Sequence, residues 1–248
     1  MTSQYESIAK VYQDSKKLPF REYIEAHTFL KAVGDCQGKS ILDLACGEGH
    51  YTRILKSLGA EKVVGVDLSE SMIELARNQE HKSKLGVEYL QADAKDLPHS
   101  IGQFDLVLAT YLFNYARNAN ELIDFAKSCR NHLKPGGRLI AINDAPENKI
   151  ENFDSYLKYG FIKKSPSGKK EASPVQYIFF PESEFRFTFS NYYFSTQRYE
   201  EALTKAGFVD IKWKPMEVSM QGIEEYGNDY WSNFLEDAPI AVFSAGLD

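Results

Sequence analysis

Cysteine is scarce in this 248-residue chain. Its three thiols, Cys36, Cys46 and Cys129, are odd in number and lack the paired spacing of a metal knuckle. Neither a disulfide framework nor a bound metal is expected, and the three read as free, packing thiols. Long apolar runs are missing too: none approaches the roughly 20 residues that cross a bilayer, which argues against a membrane partner. The start, Met1-Thr2-Ser3-Gln4-Tyr5-Glu6, has neither a basic nor an apolar leader region, so the expected location is cytoplasmic. Positive charge is in deficit as well. With 29 Lys and Arg against 35 Asp and Glu, a formal charge of −6 opposes phosphate backbones and disfavours bulk nucleic acid. The one dense basic cluster, Lys163-Lys164 with Lys169-Lys170, sits in a Ser/Pro/Gly-rich stretch and reads as a solvated loop. Repeats and low-complexity tracts are absent, and the length suits one α/β domain with insertions. The pattern carries no signal about oligomeric state.

What is present is a glycine loop behind an apolar run. Ile41-Leu42-Asp43-Leu44 breaks at Ala45-Cys46 into Gly47-Glu48-Gly49, after which a helical pattern begins. Gly47 and Gly49 can take positive φ and let the backbone approach a small molecule at the carboxyl end of a strand. A second run, Lys62-Val63-Val64-Gly65-Val66, ends in Asp67, where a β-α-β unit delivers a carboxylate to the two hydroxyls of a bound ribose. The loop lacks the third glycine of a pyrophosphate site, which disfavours a nicotinamide-dependent reductase and fits a nucleoside without a pyrophosphate.

These residues resemble a known family. Asp43 to Gly49 is similar to the first motif of class I S-adenosylmethionine-dependent methyltransferases, with Ala45 in place of the usual first glycine. Asp67 resembles that family's ribose-binding acid, Ala92-Asp93-Ala94 its adenine-edge motif, Phe104-Asp105-Leu106-Val107 its fourth strand, and Leu133-Lys134-Pro135-Gly136-Gly137 the turn before its fifth. The resemblance covers about 38–143 and, more loosely, 195–248. It implies a Rossmann-like, seven-stranded, mostly parallel sheet with the last strand antiparallel, lying between the fifth and sixth. It also implies S-adenosyl-L-methionine as cofactor, S-adenosyl-L-homocysteine as product, no metal, and Leu68 and Met72 flanking the adenine. An N-terminal helical lid over 1–34 would follow, with Tyr12 able to reach the sulfonium or the substrate. The opening Gln4-Tyr5-Glu6-Ser7-Ile8-Ala9 also resembles N-methyltransferases of azapteridine, toxoflavin-type pathways.

The topology puts Thr110, Tyr111 and Asn114, just past the fourth strand, beside the transferred methyl group. No Asn/Asp-Pro-Pro-Tyr/Phe motif of the adenine and cytosine N-methyltransferases stands there. Asp144, at the end of the fifth strand, is the leading polar substrate contact, with a turn-capping role as the alternative. A base is required only if the acceptor loses a proton; His50, His132, Tyr12 and Asp144 are the candidates. Residues 145–194 form an aromatic insertion read as a pair of antiparallel strands, 175–180 and 184–194. Core packing is the default for each ring, yet together they suggest an aromatic-lined site for a flat acceptor, with Tyr177 and Phe179 on one face. The expectation is methyl transfer to N or O of a small metabolite. The rival of another kind is a non-catalytic S-adenosylmethionine-binding partner protein.

Overall fold

The short apolar runs become strands: β1 (Ser40–Leu44), β2 (Lys62–Asp67), β3 (Glu88–Gln91), β4 (Phe104–Thr110) and β5 (Leu133–Asp144). The insertion supplies β6 (Phe161–Lys164), β7 (Pro174–Phe179) and β8 (Phe187–Tyr192), and the C-terminal part β9 (Val209–Lys214) and β10 (Ile240–Gly246). The computed structural model describes residues 15–180 and 187–247. The expected lid residue Tyr12 and residues 181–186, which include the start of the expected strand 184–194, lie outside the described residues.

Seven strands form one sheet in the order β3-β2-β1-β4-β5-β10-β9. β1 pairs parallel with both β2 and β4, β2 with β3, and β4 with β5. β10 runs antiparallel to β9 and lies between it and β5, as the family pattern implies. The parallel centre must be covered on both faces, so its strands read as near-continuous apolar runs: Ile41, Leu42, Leu44, Val107, Leu108 and Ala109 are all fully buried. Helices α1 (His27–Val33), α2 (His50–Ser57), α3 (Glu70–Lys82), α4 (Ala119–Asn131), α5 (Thr196–Lys205), α6 (Met220–Tyr226) and α7 (Asn228–Glu236) complete the fold. Side chains cap several of them. Ser69 accepts the Met72 N–H to cap α3, and Asn118 accepts from Asn120 and Glu121 to cap α4. The chain ahead of α1 forms a π-helix, Arg21–Ala26, across which Arg21 and Glu25 form a buried ion pair. No helix among the described residues is long and apolar enough to cross a membrane.

The chain divides into two compact units. One contains Ala32–Asn143, Gln197–Lys214 and the stretch from Val242, and holds the large sheet. The other joins residues up to Lys31, Asp144–Thr196 and Pro215–Ala241, so the insertion folds with two distant stretches. Within it β7 pairs antiparallel with both β6 and β8. Three strands therefore replace the expected two. On one face Phe161, Tyr177, Phe179 and Phe189 stack in a ladder with centroids 5.4 to 6.1 Å apart. Phe20 packs on this ladder at 4.9 Å from Phe161.

The solvated-loop reading of Lys163 is overturned. Alternation along β6 puts Lys163 on the same face as Phe161, and its side chain is wholly buried. Lys164, pointing the other way, is exposed.

Candidate functional site

The strand order reverses between β1 and β4, because β1 continues toward β2 on one side and β4 toward β5 on the other. In open α/β sheets ligands bind outside the carboxyl ends of the strands at such a reversal. Two non-glycine residues in left-handed conformation sit at those two ends, Ala45 at φ 59° and Tyr111 at φ 64°. A Cβ in this region costs about 1 kcal/mol or more, so strain is concentrated where the topology directs a ligand. Ala45 thus takes a backbone shape that glycine adopts without steric cost. Gly47 and Gly49 follow at φ 56° and 83°. The loop is tied down by Cys46 N–H to Val66 O at 3.0 Å and Gly49 N–H to Cys46 O at 3.0 Å, and α2 starts directly behind it.

Asp67 is drawn into this loop. Its Oδ2 accepts the Gly47 N–H at 2.8 Å and its Oδ1 the Ser69 N–H at 2.9 Å, which fixes the carboxylate plane and leaves each oxygen a further lone pair. Burial pushes its pKa above the ordinary aspartate range, against the pull of those N–H donors. Asp43 sits inside β1, where its Oδ2 accepts the Thr52 hydroxyl at 2.7 Å, and the Thr110 hydroxyl lies 3.5 Å from Oδ1. It therefore joins β1, α2 and β4 beneath the loop. Around the same edge Leu68 is 67% exposed, unusual for a leucine, and Met72 is half-buried one turn into α3. Asp93 accepts the Lys95 N–H at 2.9 Å and Ala94 is buried. Asn114 is fully buried in the turn after β4, and His50 is exposed at the first position of α2, beside Tyr51. His132 is internal, with Nδ1 2.8 Å from Ser128 O.

One neighbour of the loop escaped the sequence reading. Tyr89 on β3 packs where a Cβ on Gly49 or Gly65 would have to go; at Gly65 that Cβ would stand 2.8 Å from the ring and 2.9 Å from Cys46 Sγ. Gly49 is thus required by an internal ring as well as by its φ. Glycine inside β2 was the available signal, since it marks a close approach.

Asp144, Tyr177 and Phe179 belong to the other unit. Asp144 is buried, and its Oδ1 accepts from both Lys163 Nζ and the Tyr177 hydroxyl. Lys163 also donates to Asn148 Oδ1 at 2.8 Å and to Pro239 O at 3.3 Å, and the Tyr177 hydroxyl lies 3.0 Å from Pro239 O. Burial pulls the Lys163 pKa below the usual lysine range, while the Asp144 charge opposes this. Phe179 is buried in the aromatic ladder. The sequence placed Asp144 at the strand end but could not show that a lysine and a phenol hold it.

The comparisons with known proteins agree on one family. A model described as a methyltransferase domain matches residues 41–137, which spans the loop, Asp67, Asp93 and the turn into β5. A demethylmenaquinone methyltransferase of Lactococcus lactis is 32% identical over 191 residues, covering 75% of this chain and 71% of that protein. A ubiquinone biosynthesis O-methyltransferase of Coxiella burnetii is 33% identical over 138 residues, 55% of this chain and 52% of its own length. The crystal structure of an S-adenosylmethionine-dependent methyltransferase from Mesorhizobium loti superposes with a TM-score of 0.64 at 18% identity, over 94% of this chain and 99% of that one.

Proposed function

We propose an acceptor class for this chain, which belongs to the class I S-adenosylmethionine-dependent methyltransferases: a small, flat, aromatic metabolite that receives the methyl group on nitrogen or oxygen. The bound cofactor supplies an electrophilic methyl on a sulfonium. The chain's own task is then alignment and exclusion of water, since in-line displacement needs neither a metal nor a covalent enzyme intermediate.

The observation that carries the cofactor assignment is the Asp67 carboxylate, held by two backbone N–H groups beside the strained Ala45–Gly49 loop. Its remaining lone pairs suit the vicinal hydroxyls of a ribose. The loop's left-handed turn includes two glycines that let the backbone approach a ligand, and Asp43 with Thr52 and Thr110 braces it from below. Leu68 supports an adenine there, because an apolar side chain left 67% exposed beside Asp67 gains by being covered with a flat ring. Met72 and the Asp93–Ala94 turn belong to the same assignment.

Support for a flat acceptor comes from the rings gathered on β6, β7 and β8, and from relatives whose names point to quinone methylation. Tyr111 and Asn114, past the end of β4, are assigned to the acceptor side; Tyr177 and Phe179, buried in the stacked ladder of the other unit, are assigned to holding that ladder together. Of the bases considered among the described residues, His50 is exposed, whereas Asp144 is buried and committed to Lys163 and Tyr177. Asp144 is therefore assigned to positioning and His50 to proton removal.

The test incubates the protein with S-adenosylmethionine and menadiol, catechol or an aliphatic amine such as ethanolamine, and follows S-adenosylhomocysteine release. Release with a flat acceptor, lost in Asp67→Ala, is the expected result. Turnover of the aliphatic amine alone would overturn the acceptor class.

A further inference from the structure

Asn143, the last residue of the large-sheet unit on β5, has no solvent exposure, and neither its Nδ2 nor its Oδ1 finds a hydrogen-bond partner among the described residues. A buried amide without a partner has given up its hydration with nothing in exchange, which is costly. Native structures rarely retain one unless a ligand or a water completes it. A fold that needed only to fill space here would be served by leucine, which has nearly the same shape and no polar atoms.

Its position narrows the choice of partner. Asn143 stands at the carboxyl end of β5, the edge at which this sheet type receives ligands. Across the ladder, Tyr111 N–H donates to Ile142 O at 2.7 Å, so Asn143 is next to the left-handed turn at Tyr111. Asp43, a carboxylate of the cofactor assignment, is already engaged with Thr52 and faces Thr110. Asn143 lies on β5 beyond β4, two strands from the glycine loop on β1, so the nucleoside and its loop have no need of it.

We infer that Asn143 is a specificity-determining residue for the methyl acceptor. Its carboxamide pairs edge to edge with a donor and an acceptor on neighbouring atoms of a flat ring, such as a ring N–H beside a carbonyl. This rests on the flat-acceptor reading above and names the edge that is read. A carboxamide offers one donor face and one acceptor face in a single plane, so an aromatic lacking one of the two leaves half of it unpaired. Sites built this way reject such analogues strongly, because the unpaired group stays buried.

The test compares the full-length protein with Asn143→Leu by calorimetry, in the presence of saturating S-adenosylhomocysteine. The probes are 2-quinolone, which has the adjacent N–H and C=O, and quinoline, which has a single acceptor. We expect the wild type to bind 2-quinolone at least about tenfold more tightly than Asn143→Leu does, with quinoline affected less than threefold. S-adenosylhomocysteine affinity and the ligand-free melting temperature should be unchanged, or the latter raised, since an unpaired buried amide has been replaced by an apolar group. Equal binding of 2-quinolone by both proteins, or by neither, would overturn the inference. So would a melting temperature lowered by several degrees in Asn143→Leu, which would reveal an internal water as the missing partner. Failure of the wild type to bind S-adenosylhomocysteine is a different outcome: it would remove the cofactor assignment itself, and this inference with it.

Discussion

Lys163 is the most informative single side chain to remove. It is wholly buried, and its Nζ bonds to Asp144, to Asn148 Oδ1 at 2.8 Å and to Pro239 O at 3.3 Å, lying 4.5 Å from the Phe153 ring centroid. Lys163→Met keeps most of the stem's volume and deletes the ammonium. The Asp144 carboxylate then loses its cation in a site that water does not reach, and breaking a buried pair in this way costs about 3–5 kcal/mol. At about 2–4 °C per kcal/mol for a chain of this size, the melting temperature should fall by about 6 to 20 °C. Replacing both partners by neutral groups removes the uncompensated charge, so Lys163→Met/Asp144→Leu should recover most of the loss, with a coupling of about 2 kcal/mol or more.

Urea unfolding followed by tryptophan fluorescence reads this directly. Trp231 belongs to the same unit, is fully buried and donates to Gly222 O at 2.8 Å, and Trp213→Phe removes the other tryptophan from the signal. The pH dependence supplies a second reading. Because the folded lysine has its pKa lowered by burial, the unfolded chain holds more protons between that value and the ordinary lysine pKa, and stability rises with pH across this window. Lys163→Met should lose that slope. A single variant within about 1 kcal/mol of wild type, or a double variant no more stable than the single, would refute the reasoning.

Further outcomes are expected at Asp67 and at Gly65. Asp67→Asn should weaken S-adenosylhomocysteine binding by several-fold to a hundredfold, roughly 1–3 kcal/mol for a lost charged hydrogen bond, measured by calorimetry. Since burial raises the Asp67 pKa, wild-type affinity should fall on acidification at a higher pH than an exposed aspartate would give, and Asp67→Asn should lack that fall. Gly65→Ala should destabilise by about 1–3 kcal/mol through overpacking, because its Cβ would stand 2.8 Å from the Tyr89 ring, and the same change in a Tyr89→Leu background should be better tolerated in thermal melts.

How much was legible in the sequence follows from the range of each interaction. The strands themselves were readable because β1, β2 and β4 are covered on both faces and so spell continuous apolar runs, whereas the sheet arrangement was implied only by the family resemblance. Ala45, Gly47 and Gly49 mark a turn whose φ values are a local matter, and the structure has them all left-handed. Lys163 was misread because its burial is not local. A lysine between Ser/Pro/Gly-rich residues is solvated unless something distant answers its charge, and the answers are Asp144, Asn148 and the Pro239 carbonyl, 19, 15 and 76 residues away. The four residues of β6 are too few for alternation to outweigh a lysine's usual preference for water. Tyr89 hid for a related reason. Its effect on Gly49 and Gly65 depends on β3 pairing with β2 in one register, Gly65 opposite Tyr89, and a slip of one residue would turn the ring to the other face. The residues that sequence reading missed around the candidate site are thus those whose roles depend on register or on a charged partner far along the chain. In Phe161-Ile162-Lys163-Lys164 both dependences meet: the strand that buries Phe161 carries Lys163 inward on the same face, so its charge must be answered from elsewhere in the chain.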